Sequence, residues 1–93
     1  MTHLSLTLIN PLGMHARAAS KLVDLTKTFE ATILVKHNDK EVDAKSIMSL
    51  LMLGAPVGSQ LEFVIEGEDE AVAAEQISAL INAGFHELED GLD

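Results

Sequence analysis

Apolar and polar residues follow each other along this chain in patterns that predict four strands. Leu4, Leu6 and Leu8 alternate with polar residues, which is the period of a strand with one buried face. The turn-forming residues Asn10 and Gly13 then end that strand. Three later segments are β-branched or alternate in the same way, and they predict further strands at 31–36, 41–44 and 60–67.

Three other segments have the spacing of helices that bury one side. A first helix is predicted from Ala16, and its apolar or small inward positions are Ala19, Leu22, Val23, Leu25, Thr26 and Phe29. A short helix is predicted over 45–53, because Ser46, or the residue before it, suits its start and Gly54 suits its end. A last helix is predicted after a capping Asp69, with Ala73, Ile77, Leu80, Ile81 and Phe85 facing inward.

The predicted order is therefore β-α-β-β-α-β-α. Strands with one apolar face, placed next to amphipathic helices, predict an α+β fold with two layers. We expect an open-faced β-sandwich in which a four-stranded antiparallel sheet is covered on one face by three helices. The chain suits a single domain over residues 1–93, with a frayed acidic tail from about residue 86.

Composition narrows the classes of partner and cofactor. The chain has no cysteine and no histidine pair at metal-ligand spacing, so we expect no metal and no cofactor. Its net charge of −9 and its lack of Trp and Tyr argue against nucleic acid as a partner. No apolar run approaches the roughly 20 residues of a membrane helix, and residues 1–10 do not resemble a signal peptide. We therefore expect a cytoplasmic protein without membrane insertion.

His15 stands where a turn gives way to the first predicted helix, two residues before Arg17. The first N–H groups of a helix, here those of Ala16 and Arg17, have no acceptor within the helix and together carry about half a positive charge. A phosphoryl group on the imidazole of His15 could be held by these N–H groups and by the Arg17 guanidinium. Alternatively, His15 only caps the helix, and Arg17 is only a charged residue exposed to solvent.

The short predicted helix over 45–53 is apolar nearly all round. Part of it packs on the sheet, and the rest either is buried elsewhere or forms an exposed patch for partners. The predicted docking residues are Ile47, Met48, Leu51 and Met52. Ser46 is either a simple N-cap or a site where a phosphate would change the charge of this patch.

Two motifs resemble those of a known family. The segment "GMHARAA" (13–19) is similar to the active-site signature of HPr, the histidine-containing phosphocarrier protein of the bacterial phosphoenolpyruvate:sugar phosphotransferase system. The segment "KSIMSLLMLGAPVGSQLEF" (45–63) is similar to the family's second signature, which contains a regulatory serine. The similarity extends over roughly residues 2–85. The family usually has Pro where this chain has Ala18, a change that should keep the helix.

The resemblance implies a phosphocarrier that does not act as an enzyme alone. His15 would accept a phosphoryl group on Nδ1 from phospho-enzyme I, Arg17 would help to hold it, and a IIA protein or domain would receive it. Ser46 matches the serine that HPr kinase/phosphorylase modifies in some lineages. A monomer is expected.

The resemblance leaves the branch open. The protein would serve sugar uptake, or it would be a regulatory phosphocarrier of the nitrogen branch. A docking module controlled by phosphorylation of Ser46 is a further alternative. The sequence does not decide between these alternatives.

Overall fold

The structure is a computed structural model in which residues 1–87 are described, and its elements follow the predicted order. The described elements are β1 (Thr2–Thr7), α1 (Ala16–Thr26), β2 (Thr32–His37), β3 (Lys40–Asp43), α2 (Ile47–Met52), β4 (Gln60–Glu66) and α3 (Glu70–Asn82). A short left-handed turn, Gly84–His86, follows α3 and was not predicted. The predicted α+β fold is confirmed.

The four strands form one sheet in the order β1-β4-β2-β3, and each neighbouring pair is antiparallel. Phe63 of β4 lies opposite Leu4 of β1 on one side and Val35 of β2 on the other. Phe63 and Val35 are fully buried and Leu4 is half-buried, as expected for the face that the helices cover. Residues on the alternate positions of the strands form the open face.

The core lies between this sheet and the helices. Four of the predicted inward positions of α1 are buried, and they are Ala19, Leu22, Val23 and Thr26. α3 buries Ala73, Ile77 and Ile81, whereas Leu80 is only half-buried. Burial of each large aliphatic side chain contributes about 1.5–3 kcal/mol. No helix among residues 1–87 has the length and apolarity that crossing a membrane would require.

Asp69 occupies the predicted N-cap position of α3 but does not cap the helix with its side chain. Its carboxylate instead accepts hydrogen bonds from the backbone N–H groups of Glu30, at 2.8 Å, and Ala31, at 3.0 Å. The predicted side-chain cap is therefore wrong. Through these hydrogen bonds the Asp69 side chain connects the start of α3 to the segment that precedes β2.

Two loops at one end of the sheet are bonded to each other. The N–H of Met14, in the loop before α1, donates to the carbonyl of Ala55, in the loop after α2, at 2.9 Å. Gly13 has a φ of +64°, and a Cβ built there would lie 2.6 Å from the Ala55 oxygen. Only glycine allows this approach without a backbone shift. The starting loop of α1 is thus packed against the loop that follows α2.

Candidate functional site

The loop before α1 is closed by a buried asparagine. Asn10 is 2% exposed, and its side-chain Nδ2 donates to the Gly13 carbonyl at 2.7 Å. The Gly13 N–H in turn donates to the Asn10 carbonyl at 3.1 Å. These two bonds shape a tight turn immediately before His15. The position of the histidine is therefore set by a rigid loop.

His15 is the N-cap residue of α1, as predicted. Its backbone is extended, with φ −86° and ψ 178°, and its carbonyl accepts the N–H of Ala19 at 2.8 Å. Its side chain makes no capping hydrogen bond, so the imidazole does not satisfy the first N–H groups of the helix. Those of Ala16, Arg17 and Ala18 have no acceptor within the helix and remain suited to an anion. The interpretation of His15 as a simple side-chain cap is wrong.

The His15 imidazole instead contacts a carboxylate. Its Nε2 contacts Oε1 of Glu87, and the two side chains are 23% and 3% exposed. The same Oε1 accepts a hydrogen bond from Nδ2 of Asn10 at 2.8 Å. Within residues 1–87, Nδ1 of His15 has no hydrogen-bond partner. One ring nitrogen is thus held, and the other is available as a nucleophile.

Arg17 lies one turn into the same helix end and is exposed. Its guanidinium forms no hydrogen bond or ion pair with the residues that the structure describes. An uncommitted guanidinium beside free helix N–H groups is suited to the oxygens of a phosphoryl group. α1 continues through Ala18, which is 1% exposed, so the helix persists without the family's usual proline.

Ser46 is the N-cap of α2, also as predicted. Its hydroxyl accepts a hydrogen bond from the N–H of Ser49 at 3.2 Å, and the residue is half-buried. The side chain therefore has a complete structural role in the unmodified protein.

The outer side of α2 is apolar and exposed. Of the predicted docking residues, Ile47, Met48 and Met52 are 39%, 69% and 68% exposed, while Leu51 is half-buried. Leu12 and Val57, which the sequence did not single out, are 54% and 49% exposed. They belong to the two loops that are joined between Met14 and Ala55. We define these six residues as the apolar patch.

Sequence reasoning placed Asn10 in a turn without assigning it to the site, and it missed Glu87. The expectation of a frayed tail from residue 86 is wrong for Glu87, which is buried; residues 88–93 lie outside the described part of the chain. Gly84 was a signal that the chain turns after α3, although it does not name the partner of Glu87. Within residues 1–87, no cluster of acidic or histidine side chains has the arrangement of a metal site.

Comparison with known proteins identifies the family. The family model described as "PTS HPr component phosphorylation site" matches residues 3–83. The chain belongs to the HPr family. The phosphocarrier protein HPr of Cupriavidus necator is 43% identical over 83 residues, which are 89% of this chain and 93% of that protein. HPr-family membership agrees with the strand order, the three helices and the position of His15.

Relatives of both family branches are similar to this chain. The phosphocarrier protein NPr of Proteus mirabilis is 43% identical over 79 residues, which are 84% of this chain and 88% of that protein. The crystal structure of an HPr from Thermoanaerobacter tengcongensis has a TM-score of 0.88 at 34% identity, covering 91% of this chain and 96% of that one. Equal identity to an HPr and an NPr assigns the family and leaves the branch open.

Proposed function

We propose that this protein is a phosphocarrier that receives a phosphoryl group on His15 from phospho-enzyme I and passes it to a IIA protein in sugar uptake. The observation that carries the proposal is the arrangement at the start of α1. There a half-buried imidazole, with Nε2 held and Nδ1 unbonded within residues 1–87, stands before an uncapped helix end. Membership of the HPr family supports the same chemistry.

The helix end would hold the transferred group by ordinary phosphate chemistry. The N–H groups of Ala16 and Arg17 are donors for phosphoryl oxygens, and the helix contributes about half a positive charge at this end. The exposed Arg17 guanidinium adds two parallel donors and a permanent charge. These contacts stabilise the phosphorylated state, whereas the bond to an imidazole nitrogen keeps the group transferable.

Partner proteins would complete the site. The His15 side chain is 23% exposed at the surface. The apolar patch lies on α2, on the loop after it and on the loop that precedes His15, and a hydrogen bond between Met14 and Ala55 joins these two loops. Exposed methionines suit a surface that receives more than one partner. We propose that enzyme I and the IIA acceptor dock here in turn, and that the protein acts as a monomer.

The direct test is intact mass after incubation with enzyme I, Mg²⁺ and phosphoenolpyruvate. We expect a gain of one phosphoryl group that brief acid treatment removes and that a IIA protein takes over when added. His15→Ala should gain no mass and should keep the far-UV circular dichroism of the fold. Acid-stable labelling, or labelling of His15→Ala, would refute His15 as the acceptor.

A nitrogen-branch role is a second candidate, because the 43% identity to an NPr equals the identity to an HPr. The discriminating experiment offers the protein the enzyme I and IIA proteins of each branch and compares initial rates of phosphoryl uptake and release. A sugar carrier should react faster with the sugar-branch pair. The reverse ratio assigns the nitrogen branch.

Regulation at Ser46 is a third candidate, and its position at the start of α2 motivates it. A phosphate there would add about two negative charges beside the apolar patch. Incubation with HPr kinase/phosphorylase and ATP should add acid-stable mass to the protein but not to Ser46→Ala. If that modification leaves transfer from enzyme I unchanged, Ser46 does not control docking.

A further inference from the structure

We propose that Glu87 is a positioning residue for His15: its carboxylate holds the imidazole with a proton on Nε2 and so leaves the lone pair of Nδ1 free for phosphorus. This inference rests on the proposed phosphocarrier function. It concerns a residue outside both sequence motifs, 72 positions from His15 along the chain.

The hydrogen-bond directions follow from one carbonyl. The Gly13 carbonyl can only accept, so the Asn10 side-chain atom 2.7 Å from it is the amide nitrogen. That nitrogen also reaches Oε1 of Glu87 at 2.8 Å, which makes Oε1 an acceptor. An ionised carboxylate can only accept, so the contact between this oxygen and Nε2 of His15 places a proton on Nε2, and in the neutral imidazole Nδ1 then carries the lone pair. The chain of bonds from Gly13 therefore selects the tautomer of His15.

The backbone before Glu87 is built for this contact. Gly84, Phe85 and His86 all have positive φ, at 63°, 57° and 57°. The left-handed region is unfavourable for the two residues other than glycine, by about 1 kcal/mol or more each. The turn is retained because Phe85 is fully buried and its carbonyl accepts Nζ of Lys21, in α1, at 2.6 Å. α1 thus positions His15 at its start, and through Lys21 it also holds the turn that places Glu87 beside His15.

Glu87 makes its side-chain hydrogen bonds to the described residues through one oxygen, Oε1. Oε2 is buried and has no hydrogen-bond partner among the described residues. A carboxylate 3% exposed is expected to have its hydrogen bonds satisfied unless its position serves another purpose. Here the bonds that it makes are those to Asn10 and His15. These bonds fix the carboxylate beside the imidazole, in a position to orient it.

The transfer step then needs no proton to leave the protein. The Nδ1 lone pair forms the new N–P bond, the donor's bond to phosphorus breaks, and that electron pair stays with the donor. The proton remains on Nε2, so the phosphorylated ring carries a positive charge that faces the Glu87 carboxylate. On transfer to the acceptor the N–P electron pair returns to Nδ1. Glu87 would stabilise the charged ring in both steps.

The test combines a spectroscopic signal with a rate. In protein labelled with ¹⁵N-histidine, the Nε2–H proton of His15 should give a resolved resonance, because its bond to Glu87 slows exchange with water. Glu87→Ala should lose this resonance and take up phosphate roughly tenfold more slowly from enzyme I. Glu87→Gln keeps an acceptor oxygen, so it should keep the resonance while lacking the charge.

Glu75→Ala is the matched control, because it removes one acid from an exposed position on α3. It should change neither the resonance nor the rate. If Glu87→Ala does not fold, Glu87→Gln decides the proposal: a normal rate of phosphate uptake and a lost resonance would overturn it.

The two proposals fail in different ways. If the wild-type protein is phosphorylated but Glu87→Ala keeps both the resonance and the rate, the role of Glu87 is wrong and the phosphocarrier function stands. If the wild-type protein takes up no acid-labile phosphate, the phosphocarrier function fails and the role of Glu87 in transfer fails with it. The resonance alone would then report only a structural contact.

Discussion

The N-cap residues of α1 and α2 have similar backbone conformations, but their side chains have different partners. Both N-cap residues, His15 and Ser46, have extended backbone conformations. The Ser46 hydroxyl accepts the N–H of Ser49 and so satisfies its helix. The His15 side chain accepts nothing from α1 and pairs with Glu87.

This difference concerns the stability of a helix and its ability to bind an anion. A capped helix end gains about 1 kcal/mol and has one donor fewer to offer a ligand. An uncapped end forgoes that stabilisation and keeps its donors for an anion. In this protein the start of α2 is capped by a side chain, and the start of α1 is not. The donors at α1 are available because no side chain of the loop competes for them.

The largest expected effect comes from placing an ordinary cap on α1. His15→Ser and His15→Ala should both abolish phosphoryl uptake from enzyme I, since the nucleophile is gone. Because serine caps helices well, His15→Ser should be more stable than His15→Ala by about 1 kcal/mol. Urea unfolding followed by circular dichroism measures this, and equal stability would mean that the helix end is already satisfied.

Glycine replacement tests how rigidly the His15 loop is held. Gly13→Ala should reduce the free energy of unfolding by about 2–4 kcal/mol, because the new Cβ meets backbone atoms of Ala55 and Pro56. Gly54 has a similar φ of +60° but no atom within 4 Å of its Cβ position, so Gly54→Ala should lose only about 1 kcal/mol. Equal losses in urea unfolding would show that the contact between the two loops is unimportant.

Removing the cap of α2 should have a moderate effect on stability and none on phosphoryl uptake. Ser46→Ala should lower the free energy of unfolding by about 1 kcal/mol, whereas Ser46→Thr should change it by a few tenths. Uptake from enzyme I should be unchanged in both variants. A slower uptake in Ser46→Ala would mean that the start of α2 contributes directly to transfer.

The smallest effect concerns the start of α3. Bonds from the Thr2 hydroxyl, the N-terminal ammonium group and the Gly67 N–H lower the pKa of Glu70 from 4.5 to about 2. This carboxylate therefore stabilises the fold above pH 4.5 and loses its contribution as the pH falls towards 2. The stability difference between wild type and Glu70→Gln should be constant between about pH 5 and pH 7 and should shrink as the pH falls below 4.5. A pH-independent difference in urea unfolding would contradict the assignment.

The order of elements and the positions of the three helix starts were predictable from local pattern. Alternation identified β1 and β4, and helical spacing identified α1. The turn before His15 and the serine at position 46 marked the starts of α1 and α2. These features depend on neighbours within a few positions, which the sequence displays directly. Asp69 was also placed at a helix start, but its bonding partners were not predictable.

What the sequence determined is the alternation, the helical faces, the turn before His15 and the family motifs. Tertiary structure decided the partner of the imidazole, the role of Asp69 and the share of α2 that remains exposed. Each of these depends on residues far apart in the chain: Glu87 meets His15 across 72 positions, and Asp69 meets Glu30 across 39. A carboxylate in an acidic segment has no local feature that marks its partner. Only the turn after α3 and the packing of α1 bring the two together.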